Sequence, residues 1–252
     1  MKAHLYRWSR HWLVTGDIPH NESHRHISAS VLLGLLGEFE LSVNGVRRHT
    51  RAAIVAPEVE QSLSAPNTPL LIVHCDPDSE VWQHFKYLLL EEDSVDIPPP
   101  SQLSAPLSSL NSQAGDARIA AQLIDDWLGE LGTRAQALDP RIADTCAYLR
   151  QHLPERIDLE VLAERIHLST SRLTHLFREE TGVSLQRFLL HLKMLQAIRL
   201  WQPGMTLSAL AADAGFYDQP HLARTVRAMF DALPSSLTQE GALRVHHCED
   251  IG

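Results

Sequence analysis

Cysteine is scarce in this chain of 252 residues: it has three, Cys75, Cys146 and Cys248, and no two of them form a C-x-x-C pair. A disulfide framework is therefore excluded, and a reducing compartment fits best. Long apolar runs are missing as well. The longest, Val31 to Gly37, falls far short of the roughly 18 residues that would suggest a membrane span. The opening MKAHLYRWSRHWLVTGDIPH holds no apolar stretch long enough for a signal-peptide core, so a cytoplasmic protein with no membrane partner is expected. Basic charge is also in short supply. Lys and Arg number 22 against 31 Asp and Glu, a net charge of -9, which on its face disfavours a polyanionic partner. What is present is an ordinary globular mixture, 44% hydrophobic and 21% charged, which rules out wholesale disorder, a collagen-like repeat and a coiled-coil rod. The length suits one large or two modest domains.

The shortage of positive charge is local. Residues 1–139 carry 10 basic and 18 acidic side chains, whereas residues 140–240 carry 11 of each. The remaining segment, 241–252, sets Arg244 against Glu249 and Asp250. Only the first part is acidic, and the two parts differ in pattern too. From Ala29 to Val73 short β-type segments alternate with turns, including Asn44-Gly45, and predict an antiparallel sheet or small barrel. Val81, Phe85 and Leu88 then repeat at helical spacing. The proline- and serine-rich VDIPPPSQLSAPLSSLNSQAGD reads as a loop. After it, Ile119, Leu123, Ile124, Trp127, Leu128 and Leu131 make one helical stripe, which either packs on the sheet or pairs with a second copy.

From Pro140 the strand signal ends and amphipathic helices follow, with apolar faces at Ile142/Cys146/Leu149/Leu153, at Leu159/Leu162/Ala163/Ile166 and at Leu173/Leu176/Phe177. Pro154 separates the first two. LEVLAERIHLSTSRLTHLF has the order of a helix-turn-helix, with Ser169 as the N-cap of its second helix. A second copy, LSALAADAGFYDQPHLARTV, puts Gly215 in the turn and Asp218 at the cap. Ala211 follows Ala163 by 48 residues and Leu222 follows Leu173 by 49, so two similar units stand in tandem. Between them SLQRFLLHLKMLQAIRLW is apolar on two faces and needs cover from both sides. At 1.5 Å per residue it would be about 27 Å long, of the order that could set two helices in adjacent major grooves, roughly 34 Å apart.

LAERIHLSTSRLTHLFREETGVSLQRFL, then LQAIRLW, then LAADAGFYDQPHLAR and Pro234 resemble, in that order, the DNA-binding domain of the AraC/XylS family of transcription regulators. The resemblance implies double-stranded DNA as partner, RNA polymerase as a further candidate partner, and a homodimer. It also implies base reading from the exposed N-terminal positions of each recognition helix. Carried over, these are Ser171, Arg172, Thr174 and His175 in the first unit, and Gln219, Pro220, His221 and Arg224 in the second. Arg, His and Thr side chains suit guanine edges, phosphates and other acceptors. The second unit departs from the family pattern at Val226, where a phenylalanine is usual, and at Leu237-Thr238 in place of Tyr-Arg.

The order of segments in residues 1–139 also resembles the cupin-like β-barrel sensor that precedes the DNA-binding half in many members. This implies an unidentified small-molecule effector, with His24 and His26 as pocket candidates. Both histidines would lie on one side of a strand. A metal reading is weakened because Ser30 and Gln61 occupy the positions of the carboxylate and late histidine, so no metal or other cofactor and no enzymatic activity are expected. His74-Cys75 and His246-His247-Cys248 are read as incidental, and Glu91-Glu92-Asp93 as a solvated helix end. The expected architecture is α+β with two domains. Residues 1–139 form the cupin-like sensing and dimerisation domain, 140–240 the all-α DNA-binding domain of two helix-turn-helix units joined by a long helix, and 241–252 a flexible tail. A metal-dependent cupin fused to a DNA-binding domain, and a regulator that answers to a partner rather than a ligand, are the alternatives.

Overall fold

The computed structural model describes residues 3–8, 10–89, 91–101, 117–132, 136–153, 155–202, 204–230 and 243–248. The chain divides into two compact units, Met1–Gln136 together with Ser235–Gly252, and Ala137–Pro234.

In the first unit, strands β1 (Ala3–Arg7), β2 (His11–Gly16), β4 (Ala29–Gly34), β7 (Ala52–Val55), β9 (Leu70–Cys75), β10 (Ser94–Asp96) and β11 (Leu243–His247) form a seven-stranded sheet. Its order is β10-β7-β4-β9-β2-β1-β11. A second sheet has the order β3 (His20–Arg25), β8 (Glu60–Ser64), β5 (Phe39–Val43) and β6 (Val46–Thr50). Pairing is antiparallel except where β11 runs parallel to β1. The turn at Asn44 and Gly45, with φ of 49° and 81°, suits a two-residue hairpin and joins β5 to β6.

The closed barrel among the sequence expectations is not formed by the described strands, which make two separate sheets. The chain passes from one sheet to the other between β4 and β5, where a Cβ on Gly34 would collide with the Gly37 carbonyl. Only glycine fits this corner. Leu32, Ala53, Val55 and Ile72 of the first sheet meet Phe39, Leu41 and Leu63 of the second in one buried cluster. The opposite face of the large sheet, with Val31, Leu33, Ile54 and Val73, is covered by α1 (Glu80–Leu89) and α2 (Ala117–Glu130). Three layers result, as a sheet apolar on both faces requires.

Helix α2 resolves one expectation. Leu123, Ile124, Trp127 and Leu128 are buried in the same cluster as Trp82 and Phe85, and the Trp127 indole Nε1 donates to the Pro98 carbonyl at 2.8 Å. The stripe is covered within its own chain, so it is not the dimer surface. Full burial of one such side chain contributes about 1.5–3 kcal/mol. On α1 the buried apolar residues are Trp82, Phe85 and Leu89, with Val81 and Leu88 at the margin. Residues 102–116 of the expected loop lie outside the described residues.

A second correction concerns the segment expected to be a flexible tail. Its residues Leu243–His247 form β11, registered from Ala3↔Leu243 to Arg7↔His247. His246 stacks on Tyr6 at 4.7 Å, and its Nε2 lies 3.0 Å from His4 Nδ1.

The second unit is helical among its described residues: α3 (Pro140–His152), α4 (Leu159–Arg165), α5 (Thr170–Thr181), α6 (Leu185–Leu200), α7 (Leu207–Asp213) and α8 (Gln219–Phe230). Helix α6 contacts α5, α7 and α8. This explains why Leu185, Phe188, Leu192, Met194, Leu195 and Ala197 are all buried although they lie around the helix. No helix among the described residues is long and apolar enough to cross a membrane.

Candidate nucleic-acid interface and interior pocket

The two helix-turn-helix units are built from the same local chemistry. Asp158 caps α4 by accepting from the Glu160 and Val161 amides, and Thr206 caps α7 by accepting from Ala209. Each first helix ends in a Schellman-type turn. His167 and Gly215 hold φ of 55° and 77°. The next amides, of Leu168 and Phe216, donate to the Ala163 and Ala211 carbonyls, both at 2.9 Å. Ser169 then caps α5 by accepting from the Arg172 amide, while Asp218 Oδ1 accepts from the His221 amide at 2.6 Å. Such caps contribute about 1 kcal/mol each and fix where each recognition helix begins.

Burial then decides which faces are free. On α5, Leu173, Leu176, Phe177 and Thr181 point inward, leaving Ser171, Arg172, Thr174 and His175 exposed. On α8, Leu222, Thr225, Val226 and Met229 are buried. Gln219, Pro220 and Arg224 are exposed. His221 is half-buried, its ring edge-on to Phe216 at 5.2 Å. Across the 49-residue offset Phe177 corresponds to Val226, Arg172 to His221 and His175 to Arg224. In its first two turns each recognition helix thus carries an arginine and a histidine three residues apart, in reversed order.

The balanced charge of this half hides an uneven distribution. Arg141 is tied to Asp139 at 2.6 Å and Arg165 to Asp144 at 2.9 Å. The hydrogen bond from Arg141 holds the Asp139 carboxyl down at about 2. Arg172 and Arg178 on α5 and Arg224 and Arg227 on α8 are exposed and form no ion pair among the described residues. Their charge is available to phosphates or base edges. Behind the second unit, Lys193 of α6 is 8% exposed. Its Nζ donates to the Glu155 carbonyl at 2.9 Å, and its stem lies against Gly215. Burial lowers the Lys193 pKa.

Between the two sheets of the first unit, His24, His26, Ser30 and Gln61 line a pocket with Leu32, Leu41 and Ile72. The His24 Nδ1–H points at the Glu22 carbonyl, 2.8 Å away. In the neutral ring Nε2 is then an acceptor, and it lies 2.8 Å from His26 Nε2. The His24 lone pair is thereby engaged by another imidazole. Gln61 donates through Nε2 to Ser30 Oγ at 3.2 Å, while its buried Oε1 has no partner among the described residues. His74 lies beside the pocket, its ring 4.4 Å from that of His26 and stacked on Trp12 at 3.9 Å, whereas Cys75 belongs to the opposite layer. No group of three or more His, Cys, Asp or Glu placed to hold a metal occurs among the described residues. Glu91, Glu92 and Asp93 are exposed.

Comparison with known proteins agrees with this geometry. A helix-turn-helix domain family matches residues 162–240. The arabinose operon regulatory protein of Salmonella typhimurium is 28% identical over 137 residues, covering 50% of this chain and 49% of that protein. The HTH-type transcriptional regulator GbdR of Pseudomonas aeruginosa is 30% identical over 96 residues, covering 38% of this chain and 26% of the relative. The chain thus spans about half or less of the curated relatives' length. A single-residue variant of ToxT from Vibrio cholerae, in its apo crystal form, matches 91% of this chain and 97% of its own with a TM-score of 0.64 at 10% identity. Wild-type ToxT crystallised with an unsaturated fatty acid gives 0.58 over 91% of this chain and 95% of its own, also at 10% identity. Both likenesses are of fold. The fold and its paired units define a helix-turn-helix protein with a β-sheet unit attached. Its C-terminal region carries a helix-turn-helix domain, and part of the chain is similar to arabinose operon regulatory proteins.

Proposed function

We propose that this protein is a cytoplasmic, sequence-specific DNA-binding transcription regulator that reads two adjacent major-groove segments with α5 and α8. The observation that carries this reading is the repeated unit with its exposed Arg/His faces, since tandem capped helices with unpaired arginines suit groove contacts. Ser171, Arg172, Thr174 and His175 serve the first half-site, and Gln219, Pro220, His221 and Arg224 the second. The test is enrichment of fragmented genomic DNA by the purified full chain at near-physiological salt. Fragments sharing two short motifs about one helical turn apart support the reading; failure to enrich any, with and without candidate effectors, overturns it.

The two facing sheets are read as a cupin-like sensor with a small effector at His24 and His26. The unpartnered Gln61 Oε1 supports a ligand with a hydrogen-bond donor. The cavity is only about 10 Å³, room for roughly one water molecule, so an organic effector requires the two sheets to part there. ToxT, described in crystals with an unsaturated fatty acid, offers a precedent for a ligand on this fold. An effector that binds one arrangement of the protein better than another shifts DNA affinity by that difference. Saturable thermal stabilisation by one metabolite, abolished in His26→Ala, tests the pocket. A homodimer and contact with RNA polymerase belong to the same proposal, the buried stripe of α2 not being available as the dimer surface.

A further inference from the structure

The two helix-turn-helix units keep a 48-residue offset from the caps Asp158 and Thr206 through the turns His167 and Gly215 to the half-buried Leu168 and the buried Phe216. From the next caps, Ser169 and Asp218, the offset is 49. One residue has therefore been added to the second turn, and that residue is Tyr217. The fold does not use its side chain. Phe216 before it is buried, and Asp218 after it caps α8. Tyr217 is 88% exposed, and no hydrogen bond or ring contact of its side chain occurs among the described residues.

Turn positions of that exposure are usually filled by small or polar residues. A tyrosine there instead presents an apolar ring and a neutral hydroxyl immediately before Gln219 and Pro220, at the end of α8 that carries the expected base-reading residues. Phosphate contacts in protein–DNA complexes come from tyrosine hydroxyls as well as from basic groups, and the strands flank the groove that such a helix enters. We propose that Tyr217 is a DNA-backbone contact peculiar to the second unit, its phenol donating to a phosphate beside the second half-site. This rests on the DNA-binding reading above. A neutral donor adds affinity without adding positive charge, so it releases no further counterions. That separates it from the arginines.

The test compares wild type, Tyr217→Phe and Tyr217→Ala in the full chain on a fragment that wild type enriches, on that fragment with substitutions in the second motif, and across a salt series. Tyr217→Phe is expected to weaken binding about tenfold, within the range for a hydrogen bond to a charged group. Tyr217→Ala should weaken it at least as much. The loss should be the same on every sequence, and the slope of log affinity against log salt should be unchanged. Melting temperatures should match wild type, because so exposed a side chain holds nothing in place. Unaltered DNA affinity in both variants overturns the proposal, as does a loss confined to one base pair or accompanied by a shallower salt slope. If wild type itself enriches no DNA, the underlying reading fails, an outcome visible before either variant is measured.

Discussion

His167 and Gly215 lie 48 residues apart in the chain and hold the same left-handed backbone pose, each amide donating over 3.1 Å to the carbonyl three residues back, Glu164 and Ala212. The first unit makes this turn with a side chain that must bear the strain, the second with the residue that bears none. Gly215→Ala should therefore destabilise the protein by about 1–2 kcal/mol. The new methyl would meet the Lys193 stem only at ordinary contact, 3.6 Å, so the cost is in the backbone. His167→Gly should change stability by no more than about 0.5 kcal/mol, because relieved strain offsets the added freedom of the unfolded chain. Urea unfolding of both variants checks the contrast; equal losses would contradict it.

Arg172 and Arg224 occupy non-equivalent positions on their helices, so their loss should not look alike. Removing either by alanine is expected to weaken DNA binding by about 1–3 kcal/mol and relax one base pair of the corresponding motif. If one of them holds a phosphate instead, the loss will be uniform across sequences and the salt slope will fall by about 1. Binding to a panel of single-base variants distinguishes these outcomes for each arginine.

Asp139 caps α3 by accepting from the Arg141 amide and pairs with the Arg141 guanidinium. Its folded pKa is about 2, below the ordinary value of 3.8. A group depressed on folding stabilises fully above the higher value and loses that contribution as pH falls through the lower one. Melting temperature should thus decline between about pH 4 and pH 2 partly through this residue, by an amount that solvent screening keeps small. Asp139→Asn should flatten that part of the profile while keeping the cap. Asp139→Ala should cost about 1 kcal/mol even at pH 7.

Lys193 serves through its stem and its ammonium separately. Lys193→Met keeps the apolar packing on Gly215 and removes the donor to the Glu155 carbonyl, for an expected loss of about 1 kcal/mol. Lys193→Ala removes both, for about 2 kcal/mol or more. Denaturant midpoints of the two variants should fall in that order.

The helical half is largely legible in the sequence because its signals are local. Caps at Ser169 and Asp218, the turn at Gly215, and the buried faces at Leu173/Leu176/Phe177 all follow from short spacings. Even the added Tyr217 is visible as the step from 48 to 49. The sheet half is less so. Strands β1, β2 and β3 precede the segment whose alternation is recognisable, and β11 is five residues whose partner lies at the other end of the sequence. Strand pairing is a non-local event that a local pattern does not announce. The α2 stripe implies that Trp127 and its neighbours need cover, and only the structure shows that the large sheet supplies it. Among the pocket residues, His24 and His26 follow from alternation. Their bond to each other depends on the bend after β3, and Gln61 arrives from a different strand.

Strand β11 has a consequence for anyone who divides the chain. Because it follows the helical unit in sequence yet pairs with β1, the helical unit is an insert closed at both ends, not a pendant at one end. A fragment of residues 140–252 would carry a strand without its partner, and residues 1–139 would bare the β1 edge to whatever backbone comes near. The cut that keeps β11 with β1 removes residues 137–234 and joins what remains.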